Sequence, residues 1–165
     1  MAIANEFLRK PGALRHLTQM QLLKLTYIAH GWNLAVNGEP LIREPVEAWN
    51  YGPVVRELYN HIRYNGTNPI QRLIEDTDNV ADDFFEASKP KTSTVYQEQL
   101  SVGENDVVER VWRRYGRHSG YSLSMLTHRP GTPWFETYFG TVGGTKVISN
   151  DLIREHYVEL ANGVV

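Results

Sequence analysis

Residues 16–36 read HLTQMQLLKLTYIAHGWNLAV, and the fold turns on this stretch. Thr18 followed three residues later by Gln21 forms a capping box. Leu17 and Leu22 occupy the staple positions on either side of it. Leu22, Leu25, Ala29, Trp32 and Val36 recur at helical spacing, and Leu23, Tyr27 and Leu34 add a second apolar line. A helix that is apolar on more than one side is enclosed by other elements. The spacing therefore predicts a buried central helix over 18–36.

Working outward, Asn37-Gly38 reads as a turn, and Pro40 and Pro45 keep the next segment non-helical. The run VEAWNYGPVVRELY (46–59) places two large aromatics beside a Gly-Pro step. Its first part reads as extended or irregular. Gly52 is expected to cap a helix with Pro53 at its first position, where no amide donor is needed. Val55, Leu58, Tyr59 and Ile62 give that helix its stripe, and Asn65-Gly66 ends it. Trp49 and Tyr51 are expected to pack on Trp32 and Tyr27. Glu47, a carboxylate among aromatics, is expected to be either exposed or paired, with Lys24 or His128 as its partner.

On the N-terminal side, Ala2 to Leu8 reads as a short helix closed by Pro11-Gly12. Beyond residue 66, TNPIQRLI and TSTVYQEQL (92–100) are expected to contribute short strands of a β-ribbon around an acidic loop. Val108, Val111, Trp112 and Tyr115 mark a helix closed by Gly116. Further helices are predicted over 121–128, from Thr132-Pro133 onward, and over 150–161, with GTVGG (140–144) as a connection. The expectation is a mainly α fold: a single compact helical domain, 1–165, with a small β-ribbon or short strands.

Composition narrows the function classes. The chain has 165 residues, the length of one domain, with 41% hydrophobic and 22% charged residues, as in ordinary soluble proteins. No apolar run approaches the ~20 residues that span a bilayer, and MAIANEFLRK lacks the pattern of a secretory signal. The absence of cysteine excludes disulfides and thiolate metal sites and fits a cytoplasmic location. A net charge of −2 gives no global attraction to nucleic acid.

No chemical motif stands out. The six histidines show no paired ligand spacing, so no metal or cofactor is expected. Ser119, Ser122 and Ser124 lie near His118 and His128, but there is no nucleophile elbow, and caps or surface serines account for them. The acidic run from Glu75 to Glu86 lacks the Gly and Glu of a calcium loop, since Ala81 and Ala87 stand there. A solvated loop or a partner-facing patch fits it better. Arg110, Arg113, Arg114, Arg117, His118 and Arg129 form a basic concentration that could touch phosphates, although helix-dipole and solvation effects account for it.

Two separated motifs carry a family resemblance. The first comprises Lys24, Leu25, Tyr27, Ala29, Gly31 and Trp32, followed by Glu47, Ala48, Trp49, Tyr51, Gly52, Pro53 and Val54. The second comprises Leu123, Ser124, Leu126, Thr127, His128, Gly131, Pro133 and Trp134. Together they resemble the Panacea domain, the SocA-like, phage-associated antitoxin family, over nearly the whole chain. The resemblance implies an antitoxin that neutralises a cognate toxin by direct protein–protein binding, with no catalytic residues. A DNA-binding autoregulator, a proteolytic adaptor for the toxin, and an enzyme using His128 and Glu47 are the alternatives. Both motifs begin helices and carry aromatics that need cover, so they are expected to meet in space. Partner contact is expected at the acidic stretch, through Asp76, Asp78, Asp82 and Asp83.

Overall fold

The computed structural model describes residues 1–76, 93–141, 143 and 146–163. Helix α2 (Gln19–Asn37) runs through its centre. The capping box forms as expected: the Thr18 hydroxyl accepts from the Gln21 amide, and the Gln21 side chain accepts from the Thr18 amide at 3.0 Å. Gly38, at φ +79°, closes the helix in the left-handed conformation that favours glycine. Leu22, Leu25 and Ala29 are fully buried, and Leu23, Tyr27 and Leu34 are buried on the second line. The first line does not hold to its end. Trp32 is half-buried and Val36 is 65% exposed, because the last turn lies along an open groove beside α4.

The remaining helices enclose α2. They are α1 (Ala2–Leu8), α3 (Arg56–Ile62), α4 (Val102–Tyr115), α5 (Gly120–Thr127), α6 (Pro133–Gly140) and α7 (Asn150–Ala161), and α2 touches α7, α4, α5, α1 and α3. Local chemistry fixes their starts. Ser101 and Glu104 form a second capping box on α4, and Thr132 caps α6 with Pro133 in its first turn, as the sequence predicts. The α2–α7 contact depends on a missing side chain. A Cβ on Gly31 would lie 2.2 Å from the Tyr157 ring, so Tyr157 packs directly on the α2 backbone. Tyr27 and Trp32 flank that ring edge-on, with centroids at 6.2 and 5.3 Å.

Val46–Trp49 is extended, as the sequence predicts, but residues 52–55 depart from the expectation. Gly52 and Pro53 do not open a helix. They belong to strand β2 (Gly52–Val55), which pairs antiparallel with β1 (Val46–Trp49), Trp49 opposite Gly52. Helix α3 starts only at Arg56, with Val55 at its cap. Proline is tolerated because β2 is an edge strand in the order β2-β1-β5, where β5 is Val147–Ile148. Asn50 and Tyr51 form the hairpin tip. The reversal falls on Gly52, whose φ of +107° a residue with a side chain adopts only under strain.

A second, two-stranded ribbon pairs β3 (Glu75–Asp76) with β4 (Thr94–Val95), in line with the expected β-ribbon. Its intervening acidic loop lies outside the described residues. The expected strand at TNPIQRLI reduces to one isolated bridge between Thr18 and Pro69. Asn5 of α1 ties this region to the core: its side chain donates to the carbonyls of Ile74 and Tyr96 and accepts from the Ile74 amide, each at 2.8 Å. Among the described residues, no helix is long and apolar enough to cross a membrane.

Candidate functional site

Three consecutive carbonyls at the tip of the β1–β2 hairpin, those of Trp49, Asn50 and Tyr51, lie against the α5–α6 segment. Two of them accept hydrogen bonds from it, and the third lies within reach of the His128 ring. The Trp134 indole N–H donates to Trp49 O at 2.8 Å, and the Ser124 hydroxyl donates to Tyr51 O at 3.0 Å. The His128 ring bridges two carbonyls, with Nδ1 2.5 Å from Ser124 O and Nε2 3.3 Å from Asn50 O. His128 lies against Trp134, which stacks on Tyr138 at 4.8 Å, and the Tyr138 hydroxyl donates to Asn50 Oδ1 at 2.7 Å. The two sequence motifs thus meet in space, the second acting as a clamp on the hairpin tip of the first.

Beneath the hairpin sits Lys24, almost fully buried. Its amine donates to Pro53 O at 3.2 Å, and burial pulls its pKa from 10.5 down to about 7. A Cβ on Gly52 would lie 2.6 Å from Lys24 Cε and 3.0 Å from Thr127 Oγ1. Lys24 and Thr127 therefore both crowd Gly52, where the central helix, the hairpin and the end of α5 converge.

Glu47 is buried, but neither Lys24 nor His128 is its partner. Arg56, nine residues on at the start of α3, donates from Nε at 2.9 Å and pairs through Nη2 with the other carboxylate oxygen. The Trp49 indole donates to the same carboxylate at 2.7 Å. The Arg56 hydrogen bonds hold the Glu47 carboxyl below its usual range, against the opposing effect of burial. The Arg56 guanidinium also lies over the Trp49 ring, 5.1 Å from its centroid. Trp49 packs on Tyr59 at 4.9 Å, and Trp32 packs on Tyr157. The expected packing of Trp49 and Tyr51 on Trp32 and Tyr27 does not occur. Tyr51 points outward and is 74% exposed.

These residues frame a groove of about 990 Å³. Met20, Leu23 and Lys24 of α2, Glu47, Trp49 and Arg56, and the three tyrosines Tyr51, Tyr121 and Tyr138 line it. Tyr121 at the start of α5 is 73% exposed, like Tyr51. The clamp role of Ser124, the pairing by Arg56 and the place of Tyr121 on the groove are not visible in the sequence. Of the acidic positions, Asp76 lies in β3, while Asp78, Asp82 and Asp83 lie outside the described residues. Among the described residues no cluster of His, Cys, Asp and Glu has the makings of a metal site.

Comparisons with known proteins bear on the same residues. The family described as Antitoxin SocA-like, Panacea domain, matches residues 22–135. Antitoxin SocA of Caulobacter vibrioides is 31% identical over 134 residues, which cover 81% of this chain and 66% of that protein, just under two thirds of its length. No solved structure matches. The family match contains α2 from Leu22 onward, the hairpin and the clamp residues Ser124, His128 and Trp134, and on that ground the chain belongs to the SocA-like Panacea-domain antitoxin family.

Proposed function

We propose that the protein neutralises a cognate toxin by binding it directly, without catalysis, and that the toxin seats on the rim of the hairpin groove. The observation that carries this reading is the pair Tyr51 and Tyr121. Two large aromatic side chains stand about three-quarters exposed on one groove, on elements held from beneath. Tyrosine offers large contact area with little conformational freedom to lose, and such side chains dominate the centres of protein interfaces. The relation to a protein named Antitoxin SocA supports a toxin as the partner. A supplementary contact is proposed at the acidic stretch containing Asp76, Asp78, Asp82 and Asp83, where negative charge would speed encounter with a basic surface. The cytoplasm is the compartment that fits this role and the absence of cysteine.

The test is co-expression with the neighbouring reading frame. Growth arrest by that gene alone, relieved by this protein and accompanied by a complex on co-purification, is the expected result. Arrest that persists, or relief without any complex, would contradict direct neutralisation.

A further inference from the structure

A second cleft, of about 560 Å³, opens on another side of α2, bounded by α4, α7 and the loop 127–133. We propose that it binds a small organic anion, with an apolar body inside and a phosphate or carboxylate group at the mouth.

Charge is the first ground. Arg114 from the last turn of α4, His118 just after it, Arg129 from the loop and His156 from α7 all line the cleft, and no carboxylate lines it. Among the described residues, neither Arg114 nor Arg129 has an ion-pair partner. Guanidinium groups from two separate elements that line one cleft can each give charge-assisted hydrogen bonds to an anion bound there.

The second ground is an unmet hydrogen bond. His156 Nδ1 is buried and has no partner. Buried polar atoms are rarely left so, and each one requires an account. His156 lines the cleft, and a turn of its ring would let Nδ1 meet a ligand oxygen there. Glu159, also on α7, is the acid whose charge acts on His156, while burial favours its neutral ring.

The third ground is shape. Ile28, Leu126 and Leu160 supply apolar wall, and the Tyr27 and Tyr157 rings close the interior. Apolar lining with a few convergent polar groups, at this volume, is the usual form of a small-molecule site. A bare inorganic ion would leave most of the cleft unfilled.

The site is independent of the toxin-binding reading, and the two fail separately. The test uses the purified full chain and follows the His156 and Tyr157 ring resonances by NMR during titration with phenyl phosphate, benzoate, inorganic phosphate and benzyl alcohol. Saturable shifts with phenyl phosphate or benzoate are expected, and the tighter of the two identifies the head group. Inorganic phosphate and neutral benzyl alcohol should bind more weakly by roughly tenfold or more, lacking the apolar body and the charge respectively. The double variant Arg114→Gln/Arg129→Gln, altered only at exposed positions, should lose roughly tenfold or more in affinity for the better probe. No saturable shift, equal binding of benzyl alcohol, equal binding of inorganic phosphate, or undiminished binding by the double variant would each overturn the proposal.

Discussion

Gly52 and Tyr51 are neighbours in the chain and stand in opposite physical circumstances. On the underside of the hairpin, Lys24 and Thr127 crowd Gly52 so closely that a methyl group has no room, and the Trp49 and Tyr51 carbonyls accept from Trp134 and Ser124. On the rim, the Tyr51 side chain extends into solvent beside Tyr121. The underside is a built support that tolerates little change. The rim contributes little to the fold and is free to serve a partner. One short motif thus holds both kinds of residue, and shared motif membership alone does not tell which residues recognise anything.

This division can be broken or sharpened by substitution. The largest effect is expected from Trp134→Ala, which removes a buried indole and leaves the Trp49 carbonyl without its donor. A loss of ~3–5 kcal/mol in urea-induced unfolding is predicted. A loss under about 1 kcal/mol would show that the clamp does not support the hairpin.

Gly52→Ala comes next, at roughly 2–4 kcal/mol, from backbone strain at φ +107° together with the contact on Lys24. Shortening the lysine relieves only the contact. In a double-mutant cycle with Lys24→Ala, Gly52→Ala should therefore cost about 1 kcal/mol less than it does alone. Strict additivity would show that the two side chains do not meet.

A smaller effect concerns pH. The unfolded chain holds the Lys24 proton up to the ordinary 10.5, whereas the folded chain releases it near 7. Between those values the unfolded state binds more protons, so stability rises with pH. The Lys24 contribution is roughly 2 kcal/mol between pH 7 and 9. Above about pH 10 the trend reverses, because burial raises the pKa values of Tyr27 and Tyr157, and only the unfolded chain loses those protons. Lys24→Met should flatten the rise between pH 7 and 9 and leave the alkaline fall intact. An unchanged rise in that variant would assign it to another group. The smallest effect on stability is expected from Tyr51→Ala/Tyr121→Ala, within about 0.5 kcal/mol for each exposed side chain.

The parts legible in the sequence are those written locally. The Thr18–Gln21 capping box, the Thr132-Pro133 start of α6 and the apolar lines of α2 each depend on residues a few positions apart. The hairpin was illegible for a definable reason. Gly-Pro suits a helix start, and only the position of β2 at the edge of the sheet makes proline acceptable in a strand. The two-residue strand β5, which completes that sheet, is too short for alternation to show. Glu47 needed a partner, as its chemistry demanded, but Arg56 follows it across a hairpin that the sequence did not reveal. The clamp joins residues 73 to 85 positions apart, and spacing says nothing at that range. Three side chains with hydrogen to donate, Ser124, His128 and Trp134, within one short motif were its trace in the sequence.

The proposed toxin seat on the rim is tested most directly by the dissociation constant for this protein and the product of a neighbouring reading frame that is toxic when expressed alone. It should be measured for the wild type and for Tyr51→Ala/Tyr121→Ala at matched folded stability. The rim reading predicts a loss of roughly thirtyfold or more, the scale of losing central aromatic contacts. Wild-type affinity in the double variant would contradict it and place the toxin elsewhere on the molecule.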